Sequence, residues 1–353
     1  MDAKAVLKAS ARRASKTPAF AGAVGMLERT ARPARGLLPV LTYHQVEEPA
    51  HAPELYPGLI GATPAEFEEH MRFLASSYEP LSLSELLAVR RGEAPLPPNA
   101  VVVTFDDAYR SVGEHAWPIM RNHGVPLTLF VPTAYPGEPA RSFWWDRLWS
   151  ALGREGTTVS TPVGDLPLGT GRERLGTYRR LRGYVKSLPH EEGMAVVEEI
   201  CSRSGTEAPV SSVLGWDELR RLAGEGVALA SHSRTHPLLH RLAPADANQE
   251  ILGSVADLER EVGPTPRVFA YPGGGIGDGL TTFLEQQGFE LAFMTKRGVN
   301  DLSRPDWLRL RRINVGRSYG LTGVRFQLLP QWARIQAAKQ RVHGFLTETG
   351  LAA

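Results

Sequence analysis

The chain has 353 residues, 42% of them hydrophobic and 22% charged, with 35 glycines and 27 prolines scattered along it. That is enough apolar side chain for one large domain or two ordinary ones, and it excludes wholesale disorder and fibrous repeats; a single cysteine, Cys201, excludes an internal disulfide and a cysteine-only zinc site. The net charge of +2 is uneven, because residues 1–35 carry eight Lys/Arg against Asp2 and Glu28 and leave 32 basic and 36 acidic side chains in the remainder, so the body has no basic surplus to offer nucleic acid.

The basic leader, residues 1–36, has one apolar stretch, Ala19 to Leu27, about half the length needed to span a bilayer. It lacks the layout of a secretory signal. It reads as a solvated tail, with a surface helix making peripheral contact with anionic lipid as the alternative. The expectation is a cytoplasmic chain, membrane-associated at most through residues 1–35.

From Gly36 onward short apolar runs alternate with amphipathic stretches, the pattern of an α/β fold on parallel strands. Gly36–Thr42 predicts a first strand, with Pro39 disturbing its start. Thr63 as N-cap, Pro64 at the first position and Glu66 at the third predict a helix to Ser77, and a second, serine-capped helix runs from Ser82 to Arg91. Ala100–Phe105 (AVVVTF) is the clearest strand, and Leu127–Val131, Val227–Ala230, Val268–Ala270, Glu290–Met294 and Leu308–Val315 follow. Helices are expected at Trp216–Gly224, Pro244–Val262 and Asp278–Gln287. The alternation fails over residues 139–212, a Trp-rich, helical insertion opening on FWWDRLW and continuing with helices at about 172–187 and 190–204. A last helix runs from Gly320 to about Leu346, broken near Pro330.

Three segments at strand ends carry chemistry. Asp106 and Asp107 follow the clearest strand; adjacent carboxylates both ionise only if cations or donors compensate them, and the alternative is a turn or helix cap. His232 and His236 follow the strand at 227–230 and face the same way if a helical turn begins there, which suits a shared metal; the alternative is a pair of loop histidines bonded to backbone. The run Tyr271-Pro272-Gly273-Gly274-Gly275 lets backbone approach a ligand closely, or is a flexible turn. Strand ends of a parallel α/β fold converge on one face, where an Asp-His-His set would supply three ligands, leave a position open, and free one carboxylate as a base.

In order and setting, TFDD (104–107), SHSRTH (231–236) and FAYPGGG (269–275) resemble the first three motifs of the NodB-homology polysaccharide deacetylases, carbohydrate esterase family 4. The resemblance covers roughly residues 37–316 outside the insertion. It implies an α/β, distorted (β/α) barrel of seven strands, in a domain bounded at 37–346, that removes N-acetyl groups from amino sugars with one divalent metal. Carried over, Asp107, His232 and His236 hold the metal, Asp106 is the general base that deprotonates the metal-bound water, and the Gly273 N–H is the oxyanion donor. Zinc is the expected ion, with cobalt or nickel as alternatives. The expected partner is an N-acetylated saccharide.

The chain departs from that pattern twice. No histidine follows the third motif except His343, in the C-terminal helix, so the general acid or substrate contact falls to His44 after the first strand, with a structural imidazole as the alternative. Where the family places an arginine that steadies the base, this chain has Ala270; Arg267 and Arg234 are the nearest substitutes, and Gly273 occupies the place of the family's tyrosine while Tyr271 precedes the proline as a candidate sugar contact. Trp144 and Trp145 could stack on a pyranose; with Trp149 they form a stripe that more often packs an insertion onto its barrel. A G-x-S-x-G match at Gly316–Gly320 lacks the downstream acid-then-His order of a serine hydrolase. The rival reading is a non-catalytic carbohydrate-binding relative of the same fold.

Overall fold

The computed structural model describes residues 17–33, 35–138, 141–153, 156–205 and 212–338. Seven parallel strands close into a barrel: β1 (Val40–Tyr43), β2 (Ala100–Asp106), β3 (Thr128–Val131), β4 (Ala228–Ser231), β5 (Val268–Ala270), β6 (Leu291–Arg297) and β7 (Leu310–Asn314), each bonded to the next and β7 back to β1. The helices are α1 (Pro18–Arg29), α2 (Pro64–Ser77), α3 (Leu83–Arg91), α4 (Trp117–Asn122), α5 (Trp144–Ala151), α6 (Gly171–Ser187), α7 (His190–Arg203), α8 (Trp216–Gly224), α9 (Pro244–Val262), α10 (Leu280–Gln286) and α11 (Gly320–Leu328). This is the distorted (β/α) barrel expected from the sequence.

Local chemistry sets the boundaries. Thr63 accepts the Glu66 N–H and Glu66 accepts the Thr63 N–H at 2.9 Å, a reciprocal cap that starts α2. Ser82 and Glu85 repeat the device at α3, which Gly92 ends in a left-handed conformation. The expected first strand is split by Pro39, which has no N–H to donate: Leu37–Leu38 pairs antiparallel with Asn300–Asp301, and β1 enters the barrel. The C-terminal helix breaks at Leu329, the residue before Pro330, and helical turns resume over 330–338.

Side-chain alternation along the strands divides the core into two layers. Val40, Val102, Phe130, Ala230, Val268, Ala270, Leu291, Phe293 and Leu310 fill the barrel interior. The residues between them, such as Leu41, Val103, Phe105, Leu129, Leu229 and Ile313, belong to a second cluster under the helices. Phe269, Tyr271 and Ala292 take the same outward direction, packing with Ile251, Val255 and Leu284 of α9 and α10. The segment from α5 to α7 covers one side of the barrel mouth, where the Tyr178 ring stacks on Tyr56 at 4.2 Å. At the other end of the chain α1 lies on α11, joined by a Glu28–Arg325 ion pair and by Phe20 against Phe326. Among the described residues no helix is long and apolar enough to cross a membrane.

Candidate active site

Asp106, the last residue of β2, points into the barrel mouth on the same alternation as Val102 and Thr104. It is buried, and the Arg312 guanidinium grips it in bidentate fashion, with Nη1 donating to Oδ1 at 2.8 Å and Nη2 to Oδ2 at 2.7 Å. Burial alone would raise this carboxyl, but Arg312, His232 and His44 outweigh it and hold it well below the usual carboxylate range. Arg312 is itself fully buried: Nε donates to the Met294 carbonyl at 2.9 Å, Nη1 reaches Thr104 Oγ1 at 3.4 Å, and the guanidinium lies over the Phe130 ring. Asp106 is therefore held ionised and aimed at the mouth by a fixed cation.

The arginine that meets Asp106 thus comes from β7, not from the strand that ends at Ala270. Neither of the arginines considered from the sequence does so, since Arg234 donates to Asp257 at 2.9 Å and Arg267 meets Glu259 at 3.3 Å, both away from the mouth. Alternation could have found Arg312: in Leu308-Arg309-Leu310-Arg311-Arg312-Ile313 it shares the inward parity of Leu310.

After Asp106 the backbone turns sharply, and Asp107 and Ala108 adopt φ of 72° and 51°. Left-handed backbone is unfavourable for such residues and collects at functional sites. Here it swings the Asp107 carboxyl toward the histidines: Oδ1 lies 3.6 Å from His232 Nε2 and 3.3 Å from His236 Nε2. The two rings are 4.8 Å apart. The helical turn that would have aligned them is absent; residues 232–236 form a loop with Ser233 and His236 at φ of 62° and 60°. Ser233 Oγ accepts the His236 N–H at 3.1 Å, and Glu250 accepts the N–H groups of Arg234 and Thr235, which fixes the loop.

These three side chains fit a divalent cation. Asp107, His232 and His236 each offer one ligand atom, all within 4.8 Å of one another. Asp107 Oδ1 is buried yet accepts no hydrogen bond. Burial and then the neighbouring Asp106 push the Asp107 carboxyl up, a cost that a cation would relieve. His232 Nδ1 is committed to the Ala270 carbonyl at 2.7 Å, which turns Nε2 toward the site. Burial lowers both imidazoles, keeping them in the neutral form that ligates.

The cluster forms the floor of a cleft of about 590 Å³. His44, Trp145 and Gly273 line it, as do Tyr56, Thr295, Asn314 and Arg317. Burial pushes the His44 imidazole down to about 4 against the pull of Asp106. Gly273 sits at φ 63°, a left-handed backbone that residues with a Cβ rarely adopt, and an added Cβ would press on the tip of the Leu238 side chain at 2.5 Å. Tyr271 is not brought to the cleft: it takes the outward parity of Phe269, is fully buried, and donates its hydroxyl to the Leu308 carbonyl at 2.8 Å. The tryptophans separate. Trp145 faces the His236 ring at 4.9 Å and donates to Tyr109 Oη at 2.8 Å, and Trp144 packs against its edge. Trp149 is fastened by the Pro53 carbonyl and by Arg174 stacked 3.9 Å over its ring. His343 and residues 1–16 lie outside the described residues, so neither the late histidine nor that part of the leader enters the site's description.

The polysaccharide deacetylase family model matches residues 93–292, more than half of the chain. The poly-beta-1,6-N-acetyl-D-glucosamine N-deacetylase of Escherichia coli K12 is 27% identical over 152 residues, 42% of this chain and 19% of that protein; the match spans about a fifth of that relative's length. Among solved structures, the Streptococcus pyogenes deacetylase PplD in complex with acetate superposes with a TM-score of 0.56 at 16% identity, over 84% of this chain and 99% of that one. IcaB from Ammonifex degensii gives 0.54 at 19%, over 83% and 97%. At these identities the likeness is one of fold. Both His44, just after β1, and Arg312 on β7 fall outside the matched span, although the barrel delivers them to the same floor.

Proposed function

The chain belongs to the polysaccharide deacetylase family, and from that premise we propose that it hydrolyses the N-acetyl group of an amino sugar in a poly- or oligosaccharide or in its biosynthetic intermediate. The observation that carries this reading is a carboxylate kept ionised by a buried arginine beside a three-ligand Asp-His-His cluster on the floor of an open cleft.

Asp107, His232 and His236 would hold one divalent cation, zinc for preference given two imidazoles and one carboxylate. Bound there, the cation would supply Lewis acidity to the acetamide carbonyl and make water a stronger acid. Asp106 accepts the proton of the attacking water, and Arg312 keeps it pointed at the mouth in the form that can do so. Water adds to the carbonyl carbon, the C–N bond breaks, and acetate and a free amine result. The Gly273 N–H is positioned by a left-handed backbone that glycine adopts freely and stabilises the oxyanion. His44, which lines the same cleft, contacts the substrate or relays to the departing nitrogen the proton that Asp106 took from water. Trp145 offers its face to the sugar ring.

The test is acetate release from a tetramer of N-acetylglucosamine by protein stripped with chelator and then reloaded with Zn²⁺, Co²⁺ or Ni²⁺. Activity that returns with metal and is absent in Asp106→Asn supports the reading. Saccharide binding without acetate release under every metal would replace it with the carbohydrate-binding alternative.

A further inference from the structure

The insertion does more than cover the barrel. Arg179, Arg182 and Lys186, at i, i+3 and i+7 on one face of α6, line the cleft, and Arg317, from the loop after β7, lines it as well. They extend about 10 Å along the helix. The other ionised groups of that lining are Asp106, already matched by Arg312, and Asp107, assigned to the cation. Among the described residues none of the four basic side chains has a carboxylate within 4 Å; elsewhere on the insertion Arg147 pairs with Glu198 and Arg203 with Glu199, while Arg174 and Arg180 donate to backbone carbonyls. Arg182 is held instead over the Tyr56 ring, 5.7 Å from its centroid, so its charge is presented to the cleft by stacking. The body of the protein outside residues 1–35 carries more acidic than basic groups, so this wall concentrates positive charge on a concave surface that bears the chemistry.

An acetamide is neutral and requires no such wall. We propose that Arg179, Arg182, Lys186 and Arg317 form an anion subsite, and that the substrate is an acetamido sugar carrying an oxyanion group, a phosphate ester or a uronate carboxylate, close to the ring that is deacetylated. This rests on the deacetylase reading above and narrows its substrate class. Planar guanidinium groups suit either oxyanion through paired N–H donors.

The experiment compares, on the zinc-loaded full chain, a neutral tetramer of N-acetylglucosamine, an oligosaccharide alternating N-acetylglucosamine with glucuronate, and N-acetylglucosamine 1-phosphate. At low ionic strength kcat/KM for one of the two anionic probes should exceed that for the neutral tetramer by about tenfold or more, the worth of one charge-assisted contact. The gap should narrow at about 0.5 M NaCl. Whichever anionic probe leads identifies the group as phosphate or carboxylate. Arg179→Gln/Arg182→Gln should cut the anionic-to-neutral ratio about tenfold, chiefly through KM, Arg317→Gln on separate backbone should do likewise, and Arg182→Lys should recover part of it. A neutral tetramer processed as well as both anionic probes, or variants that lower all three in proportion, would overturn the proposal. No acetate from any probe would instead sink the deacetylase reading, and calorimetry with both anionic probes then decides the subsite alone: binding of either that the double variant loses supports it, and binding of both that is absent or unchanged removes it.

Discussion

The Asp106–Arg312 pair is the most consequential contact between single residues in this protein. Both partners are buried, so removing the cation alone strands a charge, which typically costs about 3–5 kcal/mol. Arg312→Met should therefore lower Tm markedly, and the acid limb of kcat/KM should move to higher pH, because an unpaired buried carboxyl holds its proton longer. Adding Asp106→Asn should restore much of the Tm and none of the acetate release; thermal melts of the two single variants and the double variant check this directly. Asp106, Asp107, His232 and His236 were legible in the sequence because each stands at or shortly after a strand end with an unmistakable side chain. Arg312 was not picked out, since one arginine among Arg309, Arg311 and Arg312 stands out only when the alternation of its strand is followed. The same parity, applied to Phe269-Ala270-Tyr271, sends Tyr271 outward to α9 and α10.

Among the elements, α5 shows how the insertion is fastened. Its Asp146 is fully buried and accepts the Tyr56 N–H and the Tyr109 hydroxyl, both at 2.7 Å, while Tyr109 Oη accepts from Trp145. Burial pushes the Asp146 carboxyl up to about 7, partly offset by those hydrogen bonds. A carboxyl raised in the folded state adds stability that is full below its unfolded value and lost as pH rises through the folded one. Tm should thus decline from about pH 4 to about pH 7 by several degrees through this group, and Asp146→Asn should flatten that slope. The two aromatic neighbours should part company as well. Trp149→Ala, deprived of Pro53 and Arg174, should lower Tm with little change in KM, whereas Trp145→Ala should raise KM for the saccharide, measured by initial rates of acetate release. The sequence marked this segment as foreign to the β/α alternation; that α6 turns its basic face to the cleft depends on the docking of Tyr178 on Tyr56, which no local pattern encodes.

For the whole molecule, barrel closure joins the site. The floor takes residues from β2 and β7 and from the turns after β1, β4 and β5, so it exists only when the first and last strands pair. Cation binding to the folded state alone should stabilise the entire barrel, by about 2.7 kcal/mol at a hundred times Kd. Zn²⁺ should raise Tm in the parent chain and leave it unmoved in Asp107→Ala, as differential scanning calorimetry with and without chelator would show. The sequence by itself determined the strands, the capped helices and which carboxylates and imidazoles stand at the strand ends, because periodicity, capping and motif spacing are local properties of the chain. Only the tertiary structure decided which arginine grips Asp106 and which cations line the cleft. Arg312 meets Asp106 across 206 residues of sequence, and at that separation partners are chosen by barrel closure and side-chain direction, which no run of neighbouring residues records.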